Sequence, residues 1–122
     1  MKYAIVALLA LHGLIHTIGF AGTLGLAQFE GVSQTPTNFV TVERDGAALK
    51  FLGLLWMVAL VAFLAAAVLL LTDGSAWRPV AVGAAVISMV PVALWWKNGP
   101  MGVLANALVV AAVLFGDRLE LA

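Results

Sequence analysis

Four apolar segments, Tyr3 to Ala27, Ala47 to Leu71, Trp77 to Trp96 and Met101 to about Leu119, take up most of this chain and are marked off by the charged and turn residues between them. Crossing a bilayer takes roughly 20 residues of helix (range ~17–25), and a helix satisfies its own backbone polar groups in lipid. The first three segments meet that length readily. The fourth has a clean run only to Phe115, so Asp117 and Arg118 are expected at an interface. The expected fold is therefore all-α: an integral membrane four-helix transmembrane bundle formed by one domain, residues 1–122.

The composition agrees, with 64% hydrophobic and 10% charged residues and a mean hydropathy of +1.12, values foreign to a water-soluble core. Six basic and six acidic residues balance to a net charge of zero, which leaves no footprint for nucleic acid. Cysteine is absent, which removes disulfides, thiolate ligands and thiol redox chemistry. The start of the chain imitates a signal peptide, with Lys2 ahead of an apolar run and Gly25-Leu26-Ala27 as a cleavage site. That run is far longer than the ~7–15 residues of a signal h-region, so it is read as the first span.

Gln28 to Gly46 exceeds the roughly 12–15 residues above which loops are uncommon in compact domains, whereas the other connections are tight turns. Gln34 to Asn38 reads as a turn, Phe39 to Val42 as extended chain at the bundle mouth, and Asp45 as the N-cap of the second helix. Pro79 and Pro100 sit near helix starts, with Asn98 suited to a cap. Pro91 lies inside the third span, where it frees the carbonyl of Ile87 and is expected to kink the helix near Ser88. Four spans put both termini on one side. Basic residues divide evenly between the two ends, and the long loop with the N-terminal amine beside Lys2 tilts the reading towards cytoplasmic termini in a multi-pass protein of a bacterial inner membrane.

Within these spans, polar and small residues recur at helical intervals. Ile5, Leu9, His12, His16, Gly19 and Thr23 share one face of the first helix. Comparable seams are Gly46, Lys50, Gly53 and Met57 in the second, Ala81, Ala84, Ser88, Pro91 and Trp95 in the third, and Gly99, Gly102, Asn106 and Val109 in the fourth. Small residues and hydrogen bonds of this kind hold membrane helices together, so the seams are explained by packing alone. Depth adds a second reading. At about 1.5 Å per residue, His16, Ser88 and Asn106 fall at overlapping depths towards the long loop, with His12 nearer the midplane. Lys50 lies about a turn into its helix, where it can snorkel or reach Glu30, Glu43 or Asp45. Ionisable groups within a span are functional candidates by default, although neutral imidazole is far cheaper to bury than Lys or Asp.

Metal or haem binding is the sharpest chemical reading of His12 and His16. Two imidazoles one turn apart can share Zn or Cu, but a site needs three or four ligands. A bis-His haem needs ligands on opposite faces, from a second chain or Met57. The sequence requires no cofactor.

His12-Gly13-Leu14-Ile15-His16 in the first span, four short spans and Trp95-Trp96 before the fourth resemble the small four-span bacterial membrane proteins grouped as DoxX-like or permease-like. The resemblance lies in architecture. It implies a similar size and a link to membrane-associated redox partners, and it assigns no functional residue. Small multidrug exporters are also four-span chains, but they use a membrane-embedded glutamate in the first helix, and apart from Asp117 at the interfacial end of the fourth no span here contains a carboxylate.

The leading expectation is an accessory or small-ligand-binding membrane protein whose polar cavity, lined by His12, His16, Ser88 and Asn106 with Lys50 and Met57 as further candidates, takes a lipid or lipophilic molecule. The second is a membrane enzyme acting on a lipophilic substrate with His12 or His16 as general acid/base. A transporter protomer working as a homo-oligomer, or within a larger membrane complex, is the third.

Overall fold

The computed structural model describes residues 1–44, 46–96 and 100–116. Four helices follow in order, α1 over Lys2–Thr23, α2 over Ala47–Leu71, α3 over Trp77–Leu94 and α4 over Pro100–Leu114. The first three are long and apolar enough to cross a membrane, and α4 is a shorter apolar helix. Each helix packs on the next and α1 meets α4, which closes a ring of four, with the α1–α4 contact the slightest.

The helix ends differ from the expected spans for local reasons. The first span was expected to run to Ala27, but α1 stops at Thr23 because Gly25 turns left-handed at φ 73°. Leu26 N–H then donates to Ala21 O at 2.8 Å and Gly25 N–H to Gly22 O at 3.2 Å, the paired bonds of a Schellman cap. The end of α2 repeats this arrangement with Asp73 as the left-handed residue (φ 61°) and Gly74 N–H donating to Leu69 O at 2.7 Å. Two ends fall short of the expected 96 and 119: α3 stops at Leu94 and α4 at Leu114. α3 runs through Pro91 for another turn, and Trp95 N–H donates to Pro91 O. Gly46 occupies the N-cap position of α2 without a side-chain cap. The expected caps Asp45 and Asn98 lie outside the described residues, as do Asp117 and Arg118.

The N-terminal end of α1, the α2–α3 turn and the C-terminal end of α4 gather at one end of the bundle. Lys2 pairs there with Asp73, and Arg78 donates to Val113 O. The loop packs on the opposite end, where Thr37 and Asn38 N–H donate to Leu94 O and Trp95 Nε1 donates to Ser33 O at 2.9 Å. Phe39 is not extended as expected: it sits at φ 67° with 79% of its surface exposed, and in the stretch from Phe39 to Val42 it is Val42 that packs against the core.

The core has two parts. Leu9, Phe63, Leu70 and Trp77 pack among alanines of α2, α3 and α4 towards the terminal end. Leu49, Leu52 and Trp95, with Leu55 and Trp56 against them, form a smaller cluster under the loop. Buried residues of α1, α3 and α4 include most of the expected seams: Leu9, His12, His16 and Thr23; Ala81, Ala84, Ser88 and Pro91; Asn106 and Val109. The α2 seam is different. Its buried face carries Leu49, Leu52, Gly53, Ala59, Phe63, Ala66 and Leu70, whereas Lys50 is exposed and Met57 only half-buried. Apart from Lys50 near its start, α2 is apolar on every side, so no polar contrast marks its inward face.

Candidate functional site

Where the two core clusters meet, α1 delivers His12 and His16 into the bundle. They are 6% and 2% exposed, so neither is a surface group. The His16 ring packs edge-on against Trp56 of the loop-end cluster at 5.3 Å and lies 5.4 Å from Phe63 of the other. The His12 ring lies 4.6 Å from Phe63 and 4.8 Å from His16. Gly13 makes room for this contact, since a Cβ there would lie 2.9 Å from Phe63 Cβ.

The chemistry of the acceptors fixes the direction of every hydrogen bond in the cluster. A carbonyl oxygen can only accept, so His16 Nδ1–H donates to His12 O at 2.7 Å, which leaves His16 Nε2 to accept from Ser88 Oγ–H at 2.6 Å. Ser88 Oγ in turn accepts from Asn106 Nδ2–H at 3.2 Å, and Asn106 Oδ1 accepts from His12 Nε2–H at 2.6 Å. The second Asn106 Nδ2–H points at Met89 Sδ, 3.2 Å away. The result is a head-to-tail chain running from the His12 ring through Asn106, Ser88 and His16 back to the His12 backbone. It ties α1 to α3 and α4 and leaves one atom over: His12 Nδ1 has no hydrogen-bond partner among the described residues.

A cavity of about 390 Å³ adjoins this chain, and its lining is almost wholly apolar. His12, His16, Trp56, Val92 and Trp95 form its inner wall, and Val32 and Ser33 of the loop cover one end. Ile15 and Ile18 of α1 and Met101 of α4 border it while themselves exposed by 61%, 38% and 72%, so its mouth lies between α1 and α4. That is the least tightly packed seam of the ring. Trp56 Nε1 is shut from solvent without a partner, the one such buried side-chain N or O atom among the described residues.

The structure therefore brings together four of the six residues expected at a site and divides them in two. His12 and His16 line the cavity. Ser88 and Asn106 were expected on its wall but do not reach it, because their polar atoms are turned towards the imidazoles and each other behind it. Lys50 points away on the exposed side of α2 and makes no ion pair among the described residues, and Met57 also stands off the cavity. Sequence reasoning missed Trp56, Gly19, Thr23 and Ala105. Gly19 and Thr23 share the histidine face, a signal that was present, whereas nothing in the sequence singled out Trp56 or Ala105.

Ser88 Oγ and His16 Nε2 have the spacing of a nucleophile and its base. Ser88 is nevertheless completely buried and off the cavity, so no substrate in the cavity can meet its hydroxyl. The chain is equally unsuited to passing protons, because the Asn106 amide interrupts it. Among the described residues no three His, Cys, Asp or Glu side chains are grouped to hold a metal ion. No protein-family model, curated protein or solved structure matches this chain.

Proposed function

We propose that this is a multi-pass membrane protein that holds a lipid or another lipophilic small molecule in the cavity between α1 and α4. The observation that carries this reading is a space of about 390 Å³, within the roughly 300–1,000 Å³ of small-molecule sites, lined mainly by apolar side chains with His12 and His16 as polar features of its inner wall. A mouth flanked by exposed Ile15, Ile18 and Met101 suits a guest arriving from hydrocarbon. The polar chain behind the cavity is a rigid back wall that holds both imidazoles in place.

Native mass spectrometry after gentle extraction in an uncharged detergent tests the reading. The full chain is expected to retain a lipophilic species. Ala105→Phe, which projects a ring into the cavity from α4, should reduce that retention at least fivefold while helix content is unchanged. Equal retention by the two proteins counts against the cavity as a ligand site.

The acid/base alternative rests on His12 alone, since both ring nitrogens of His16 are engaged. A substrate would have to present its proton to His12 Nδ1.

For topology we propose four spans, with both termini cytoplasmic and the Gln28 to Gly46 loop outside. The Lys2–Asp73 pair at one end and the Trp95–Ser33 bond at the other support the alternation of helices that this requires. Thr41 and Ser75 are both exposed. Single cysteines at these two positions should label from opposite sides of sealed membranes, and labelling from the same side would remove one span from the reading.

A further inference from the structure

A second space lies beside the apolar cavity, under the loop at the end of α1. It measures about 510 Å³ and is lined by Gly22, Gly25, Gln28, Gln34 and Arg44, among others. Its chemistry is the opposite of its neighbour's. Two carboxamides and a guanidinium border it, and Arg44 is the single charged residue in its lining. Arg44 has no ion-pair partner among the described residues. A lining that includes an arginine and two glutamines suits a carboxylate, phosphate or sulfate, which accepts hydrogen bonds and carries the charge complementary to a guanidinium.

The two spaces share a wall. Val32 and Ser33 line both. Ser33 is pinned, with its Oγ–H donating to Thr35 O at 2.7 Å and its carbonyl accepting from Trp95 Nε1 at 2.9 Å. Val32 is held through its backbone N–H to Phe29 O, and its half-buried side chain makes no polar contact. The residues common to the apolar chamber and the one that carries Arg44 are thus one pinned serine and one valine.

From this juxtaposition we infer that the guest is an anionic amphiphile: its apolar part fills the cavity beside His12 and His16, and its charged head lies past Val32 in the Arg44 pocket. The inference rests on the reading of the cavity as a ligand site and adds the charge and position of the head group. A neutral lipophile would occupy the cavity and leave Arg44 unused. A free anion would use Arg44 and leave the cavity unused. One molecule with both parts matches both linings.

Dodecyl phosphate and dodecanol share a chain and differ at the head, so they separate these cases. With the full-length chain in an uncharged detergent, native mass spectrometry is expected to show dodecyl phosphate retained roughly fivefold more than dodecanol, the upper range for a solvent-accessible ion pair. Arg44→Gln should bring the two within twofold of each other, with an unchanged thermal midpoint because Arg44 is exposed. Ala105→Phe should diminish both. Inorganic phosphate at the same concentration should not displace dodecyl phosphate. If the wild-type chain retains the two amphiphiles equally while Ala105→Phe still expels them, the head-group assignment is overturned and the cavity reading stands. If Ala105→Phe affects neither, the cavity reading itself fails and this inference falls with it. Displacement of dodecyl phosphate by inorganic phosphate alone would make the polar pocket an independent anion site and overturn the single straddling guest.

Discussion

Asn106→Leu is expected to destabilise the bundle by about 1–3 kcal/mol, the range for leaving a buried donor without its acceptor, although the new side chain is close in size and fully apolar. The donor is His12 Nε2–H, which bonds Asn106 Oδ1 at 2.6 Å and has no substitute within the cluster. Ser88 loses an incoming bond but still donates to His16, so the penalty falls mainly on His12. Because the groups form one chain, the losses should not add. Once Asn106 is gone, His12→Leu removes the orphaned donor, and the double variant should be more stable than the sum of the single changes requires. Thermal midpoints in one detergent, measured for the two single variants and the double, provide the cycle. Additivity within roughly 0.5 kcal/mol, as for independent sites, would mean that the chain is not an energetic unit.

Gly19→Leu should be the most damaging change on the α1 face, because a Cβ at Gly19 would fall inside the van der Waals surface of the Trp56 indole. Inserting side-chain atoms into a packed seam costs about 1–3 kcal/mol. Here the displaced ring also supports His16 at 5.3 Å and Trp95 at 5.6 Å. Leu14→Ala on the opposite face is the control. Leu14 is 52% exposed, and in a membrane the lipid chains replace most of what its side chain touches. The Gly19 variant is expected to melt well below the Leu14 variant and to shift the tryptophan emission of the folded protein. Comparable melting of the two would mean that this face of α1 does not pack on α2.

The polar chain bears on function through what it removes from consideration. Four polar side chains clustered inside an apolar bundle suggest a hydrated pocket or a proton path, and the structure turns all four into mutual partners with only His12 Nδ1 left over. Unpaired polar atoms in a low-dielectric interior are costly, so such groups close on one another wherever the backbone permits. What remains for a guest is an apolar chamber with His12 and His16 in its lining.

From the sequence alone, the fold class and the order of the helices could be read. Long uncharged runs leave a helix as the structure that satisfies its own backbone, and breaks rich in Gly, Pro and charged residues separate one helix from the next. The inward faces of α1, α3 and α4 were legible for the same reason that they matter: His12, His16, Ser88 and Asn106 stand out against apolar surroundings. α2 offered no such contrast, so Lys50 and Met57 were assigned to a face that the packing of Phe63 and Trp56 places elsewhere. The end of α1 was misjudged because Gly25 acts through a left-handed φ, a backbone property hidden within an apolar run. Only the tertiary structure decided that Ser88 and Asn106 stand behind the cavity and Trp56 beside it, and that the loop divides an apolar chamber from one that carries Arg44. Those outcomes depend on the distances and rotations among four helices and the course of one loop. No spacing along a single helix encodes them.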